Sequence, residues 1–235
     1  MTKRLEGKIA LITGASRGIG AAVAKAYAAE GAELILVART VGGLEEIDDA
    51  IRKISGKPAT LVPLDLAHHE KIDALGAAMH EKFGRLDILV GNAALLGTLS
   101  PLAHAEPEMW QNVLDVNLTA NYRLLRSLDP LLRRSDAARV LFVTSGAAKA
   151  AFAYWGAYAV SKAGLDMLVR TYAAENAKTP ICANLIDPGI VATKMRSQAF
   201  PGEDASRLPL PETVSGIFVD LVLTSFTENG KMYNI

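Results

Sequence analysis

Residues 8–38 read KIALITGASRGIGAAVAKAYAAEGAELILVA, and their pattern decides the fold. Lys8 to Thr13 and Glu33 to Ala38 are short, almost continuous apolar runs. Between them Ile19 to Glu30 is Ala-rich, with its apolar residues at helical spacing. Strands that are apolar throughout are covered on both faces, as in a parallel sheet. The same runs recur at Ala59 to Pro63, Leu86 to Gly91, Arg139 to Ser145 and Ile181 to Ile186, and GKMYNI supplies a last strand. Helical spacing marks Leu44 to Ile54, Lys71 to Phe83, Met109 to Leu132 and Gly156 to Asn176. Alternation of this kind, joined by right-handed crossovers, predicts a Rossmann-like doubly wound α/β fold: three α/β/α layers in a single domain over residues 1–235. Ile190 to Pro211 breaks the pattern with Gly, Pro, Ser and charges. So long an irregular stretch reads as a substrate-covering loop at about 190–211, because ligands of such sheets bind beyond the strands' carboxyl ends.

Composition narrows the functional classes. The 235 residues carry 25 basic and 25 acidic side chains, and half are hydrophobic. That balance excludes a disordered chain and offers no basic excess for nucleic acid or an anionic membrane. Charges interrupt every apolar stretch before membrane-spanning length. The basic start is followed at once by the glycine turn, so it reads as a core strand and not a secretory signal. Cys182 is the single cysteine, which excludes an internal disulfide and reads as an inert buried thiol. A cytoplasmic protein without a metal site is the expectation.

Thr13-Gly-Ala-Ser-Arg-Gly-Ile-Gly20 lies between strand and helix, where a dinucleotide turn belongs. Gly14 permits the tight turn, Gly18 admits a pyrophosphate to the backbone, and Gly20 lets helix and strand close up. The helix N-terminus offers free N–H groups to the anion. The spacing is Gly-x-x-x-Gly-x-Gly. At the end of the second strand, Val37-Ala38-Arg39-Thr40 has no carboxylate for a ribose hydroxyl. Arg39 and Arg17 instead offer planar forks for a phosphate, so NADP(H) is expected ahead of NAD.

Tyr158 and Lys162, in AYAVSKAG, stand one helical turn apart on a shared face. A phenol titrates near ~10 when unperturbed, and an adjacent cation lowers that value. The pair is thus expected to move a proton near neutrality. Tyr154 is a rival phenol, but the position four residues beyond it is Tyr158, not a lysine.

TGASRGIG, Asn117 in VNL, Ser145 in VTSG, Tyr158-x-x-x-Lys162 and Asp187-Pro188-Gly189 occur in this order, with Ser145 thirteen residues before Tyr158. Together they resemble the short-chain dehydrogenase/reductase family over nearly the whole chain. The resemblance implies an oxidoreductase that interconverts a carbonyl and a secondary alcohol, with Tyr158 as general acid or base. It implies that Lys162 binds the nicotinamide ribose and depresses Tyr158, that Ser145 bonds the substrate oxygen, and that Asn117 holds a water leading from Lys162 to solvent. Around the cofactor it implies Gly14, Ser16, Arg17, Gly18, Ile19, Gly20, Arg39, Asp65, Leu66 and Asn92, with Pro188, Gly189, Ile190 and Thr193 from the segment after the sixth strand. One departure stands out. The family's usual Asn-Asn-Ala-Gly is here Gly91-Asn92-Ala93-Ala94, which removes side-chain hydrogen bonds and stiffens the loop.

The resemblance also implies a homodimer or homotetramer built on the two long helices. Leu124, Leu125, Leu128, Leu131 and Leu132 exceed what one helix face needs against a sheet, consistent with an interface. Phe152, Tyr154, Trp155, Met195 and Phe200 suggest an apolar substrate wall, while Lys194 and Arg196 could attract an anion. Two competing functions are a catalytically silent dinucleotide sensor or scaffold, and an isomerase or dehydratase that recycles its cofactor.

Overall fold

The computed structural model describes residues 3–235. Its seven parallel strands are β1 (Ile9–Thr13), β2 (Glu33–Ala38), β3 (Thr60–Pro63), β4 (Ile88–Gly91), β5 (Arg139–Val143), β6 (Cys182–Asp187) and β7 (Met232–Asn234). They lie in the order β3-β2-β1-β4-β5-β6-β7. The order reverses between β1 and β4, and a crevice opens there beyond the strands' carboxyl ends.

The strand pleat sorts the core into two layers. Ile9 and Leu11 point to one face, and Ala10 and Ile12 to the other. Helices α1 (Gly18–Ala29) and α2 (Val41–Ser55) cover the Ala10 side through Val23, Tyr27, Leu44 and Ile51. Helix α3 (His69–Phe83) covers the Leu11 side through Ile72, Leu75 and Met79.

Met109 to Leu132 differs from the single helix its spacing predicts. It divides into α4 (Pro107–Leu114), a π-helical turn at Asp115–Thr119 and α5 (Ala120–Leu132). The wider turn holds Asn117, whose side chain is drawn to the loop after β4. π-Turns inside α-helices occur mostly at functional sites. The five leucines expected at a subunit interface are in fact core. Each is 4% exposed or less, packed with α3 and with α6 (Gly156–Glu175) beneath the sheet. A helix wedged between two helices and a sheet buries more than one stripe, so the leucine surplus carries no argument for an interface.

The segment read as an irregular loop carries two short helical pieces. It contains α7 (Lys194–Ala199), started by the Thr193 hydroxyl accepting from the Arg196 N–H at 3.2 Å, and a 3₁₀ turn at Ala205–Arg207. Helix α8 (Pro211–Asp220) then returns to the sheet beside α1, with Phe218 fully buried. Cys182 is half-buried, its thiol 3.6 Å from the Thr227 carbonyl oxygen. Among the described residues no helix is long and apolar enough to cross a membrane, and no group of three His, Cys, Asp or Glu could hold a metal.

Candidate active site

A cleft of about 590 Å³ runs from the glycine turn, past the ends of β4 and β5, to α7. Its volume lies in the range of small-molecule sites. At the near end Gly14 adopts φ +65°, and a Cβ on Gly20 would sit 2.3 Å from the Gly14 carbonyl oxygen. Only glycine allows that turn to close. No side chain caps the N-terminus of α1, so its first N–H groups face the cleft unpaired.

Asn92 holds the turn from the neighbouring strand. Its Nδ2 donates to the carbonyls of Thr13 and Gly14 at 3.0 and 3.3 Å. In return the Thr13 hydroxyl accepts from the N–H groups of Asn92 and Ala93 at 3.0 and 3.1 Å. That role for Thr13 was not legible, because a hydroxyl at a strand end looks alike whether or not it ties two loops. The departure at Gly91 has a packing cause. A Cβ there would lie 2.1 Å from a ring carbon of Phe142, so the phenyl ring fills the space of the missing side chain. Ala94 adopts no left-handed conformation; Tyr154 is the one non-glycine residue with positive φ among those described.

Ser16, Arg17, Gly18, Ile19, Arg39, Asp65, Leu66, Asn92, Pro188, Gly189 and Thr193 all line the cleft. Arg17 and Arg39 are exposed on its rim, with Arg39 Nη1 4.0 Å from Asp65 Oδ2. Ile190 does not join them. It is 53% exposed, and Val191, 4% exposed, lines the cleft in its place. The chain turns at Gly189 with φ +66°, which sends the next side chain outward.

At the far end, α6 carries Tyr158 and Lys162 on its buried face. Ser145 follows β5 and starts a short 3₁₀ turn, its hydroxyl accepting from the Ala147 N–H at 3.3 Å. Lys162 Nζ donates to the Val143 carbonyl at 2.8 Å and lies 5.7 Å from the Tyr158 ring centre. Burial pushes the Lys162 ammonium down to about 8, and Asp166 and Asp187 work against that. Burial pushes the Tyr158 phenol up to about 12, and the Ser145 hydroxyl only partly offsets this. Desolvation therefore outweighs the lowering expected from a neighbouring lysine. The phenol is held protonated at neutral pH, as a proton donor. Tyr154 is exposed and outside the cleft.

Asn117 is fully buried and committed to protein partners. Its Oδ1 accepts from the Leu95 N–H at 2.7 Å, and its Nδ2 donates to the Leu95 carbonyl and to Ser161 Oγ at 2.8 and 3.0 Å. It thereby ties the loop after β4 to α6. Asp166, one turn beyond Lys162 and 8% exposed, accepts from the Thr144 hydroxyl. Neither Ser161 nor Asp166 was legible, since a polar residue on a mostly apolar helix usually faces water.

Comparison with known proteins agrees with this geometry. The family model described as short chain dehydrogenase matches residues 8–204. The uncharacterized oxidoreductase YciK of Escherichia coli K12 is 35% identical over 220 residues, covering 93% of this chain and 87% of the relative. The 3beta-hydroxysteroid dehydrogenase 1 of Eggerthella lenta is 35% identical over 203 residues, 86% of this chain and 77% of that protein. A Shigella flexneri structure complexed with NADP superposes with a TM-score of 0.96 at 33% identity, covering 100% of this chain and 99% of that one. Motif order, sheet topology and these matches together make the chain a member of the short chain dehydrogenase family of oxidoreductases.

Proposed function

We propose that this oxidoreductase uses NADP(H) to interconvert a carbonyl and a secondary alcohol, with Tyr158 as the general acid in reduction. The observation that carries the reading is one continuous cleft. It begins at uncapped helix N–H groups and ends at a protonated, buried phenol beside Ser145. The turn with its open α1 N-terminus suits a pyrophosphate, and Arg39 with Arg17 on the rim suits a further phosphate. The NADP-complexed Shigella flexneri relative supports the same choice.

When bound, NADPH supplies the hydride that reduces the carbonyl carbon. Tyr158 gives its phenolic proton to the carbonyl oxygen, and the Ser145 hydroxyl donates to that oxygen as charge develops on it. Lys162, held by the Val143 carbonyl, keeps a positive charge near the phenol and steadies the phenolate left behind. In the oxidative direction the same groups run in reverse. The segment 190–211 closes the substrate side through α7. We also propose a homodimer through the outer face of α6.

Tyr158→Phe tests the chemistry. It should keep NADPH affinity within a few-fold, measured by fluorescence titration, and lose about 10²–10⁴ in kcat. Unchanged turnover would remove Tyr158 from its role. A silent sensor would show NADPH binding without turnover in the wild type. Arg39→Ala should raise the Kd for NADPH about tenfold while leaving that for NADH nearly constant. Equal losses for both would assign Arg39 to something other than the phosphate.

A further inference from the structure

Resting on that reading, we propose that the substrate is an uncharged ketone bearing an aryl group, and that Arg196 and Glu203 form a charge lock turning carboxylate-bearing ketones away. The wall around the phenol is apolar: Leu96, Ala147, Trp155, Met195 and Ala199 pack with Tyr158. Trp155 stands edge-on to Tyr158, ring centres 5.8 Å apart at 71°. Phe200 lies 6.0 Å and Phe152 6.2 Å from Trp155, both tilted and both outside the cleft, so they brace the indole from behind. Tilted rings at these distances attract one another and also present faces to a further flat ring. A carbonyl between Tyr158 and Ser145 must set its substituents against this wall, where an unpartnered charge would be desolvated at high cost.

Two cations on α7 border the cleft, one toward its phosphate end and the other already paired. Lys194 follows Thr193, whose methyl carbon lies 3.5 Å from where a Cβ on Gly18 would stand. This places Lys194 at the phosphate end. Arg196 gives its Nε and Nη2 to the two carboxylate oxygens of Glu203, each at 2.6 Å. Its guanidinium also stacks 3.8 Å from the centre of the Phe200 ring. The planar fork that would grip a substrate carboxylate is already filled from within the chain. The pair lies at the surface, its side chains 21% and 29% exposed, so the two-point fork geometry and the Phe200 ring, not burial, hold it. Its sequence position suggested that Arg196 attracts an anion; with Glu203 in its fork it instead steadies Phe200, which packs behind Trp155.

The test uses substrates matched in shape: methyl phenylglyoxylate, its free acid phenylglyoxylate, and the small ester methyl pyruvate, assayed by NADPH oxidation. The wild type should prefer the aryl ester over its acid by at least about tenfold in kcat/KM. Glu203→Gln should narrow that ratio about tenfold, through a lower KM for the acid. Trp155→Ala should raise KM about tenfold for the aryl ester and little for methyl pyruvate. Acid turned over as well as ester by the wild type, or a ratio unmoved in a folded Glu203→Gln, overturns the charge lock. Methyl pyruvate matching the aryl ester overturns the aryl assignment. Turnover of none of the three, with NADPH binding intact, also overturns the aryl-ketone assignment, while the Tyr158→Phe comparison tests the underlying chemistry separately.

Discussion

Lys162 sits where burial and charge pull in opposite directions, and the balance sets a pH dependence. Its ammonium is fully enclosed and held near 8, while Tyr158 keeps its proton until about 12. The proposed reduction needs the ammonium charged and the phenol protonated. Both conditions hold below about 8, and the ammonium is the first to be lost as pH rises through its own value. The kcat/KM for NADPH, which reports the free enzyme, should therefore be flat at neutral pH and fall above about 8. A fall delayed beyond pH 10 would detach Lys162 from catalysis. Asp166 sharpens the point, because it raises Lys162 while Lys149 and Arg170 face it from other positions. In Asp166→Asn the amide oxygen still accepts from Thr144, so the fold persists. The lost negative charge should move the basic limb to lower pH, and an unmoved limb would make Asp166 purely structural. Spacing singled out Tyr158 and Lys162, the resemblance added Ser145, and all three line one end of the cleft. The sequence could not give the sign of the Tyr158 shift, which depends on Trp155, Leu96 and Met195 arriving from three separate segments.

Strands and helices were legible wherever apolar periodicity was strong, and each lapse has a local cause. Between Met109 and Leu132 apolar residues recur often enough to pass for one helix, although the π-turn adds a residue that rotates all later positions by about 100°. Its signal is Asn117, a polar residue whose bonds go to Leu95, 22 positions away, and to Ser161, 44 away. The loop after β4 shows the opposite case. Gly91 looks like a lost asparagine in the sequence, yet the ring of Phe142 on β5 occupies the space. The two positions form one packing unit, adjacent in register as Gly91 and Phe142. Gly91→Asn alone should overpack the sheet and destabilise by about 1–3 kcal/mol in urea unfolding. Gly91→Asn combined with Phe142→Val should recover part of that loss, since the smaller side chain vacates the site. Additive losses in the double variant would show that the ring does not compensate for the asparagine.

The proposed pairing of two copies turns on which apolar surface the chain leaves uncovered. The leucines of α5 are spent within the core, so they cannot supply a contact between subunits. Helix α6 buries Tyr158, Lys162, Leu165 and Val169 on one side and exposes Val160, Ala163, Met167 and Thr171 on the other. Met167 is 64% exposed, and Tyr122 of α5 is also exposed. A stripe of this composition, at helical spacing, is apolar and brings no charge into the contact apart from Arg170. Two such stripes related by a two-fold axis would bury the same patch on both copies. Light scattering at micromolar protein should then give about twice the 25.0 kDa chain mass. Met167→Glu sets a carboxylate at the centre of that contact in both copies and should return the chain to monomer. Because the same helix presents Tyr158 and Lys162 on its opposite face, the monomer should also melt earlier and lose turnover without losing its secondary structure. A wild type of single-chain mass, or a Met167→Glu variant that stays paired, would move the interface elsewhere or abolish it.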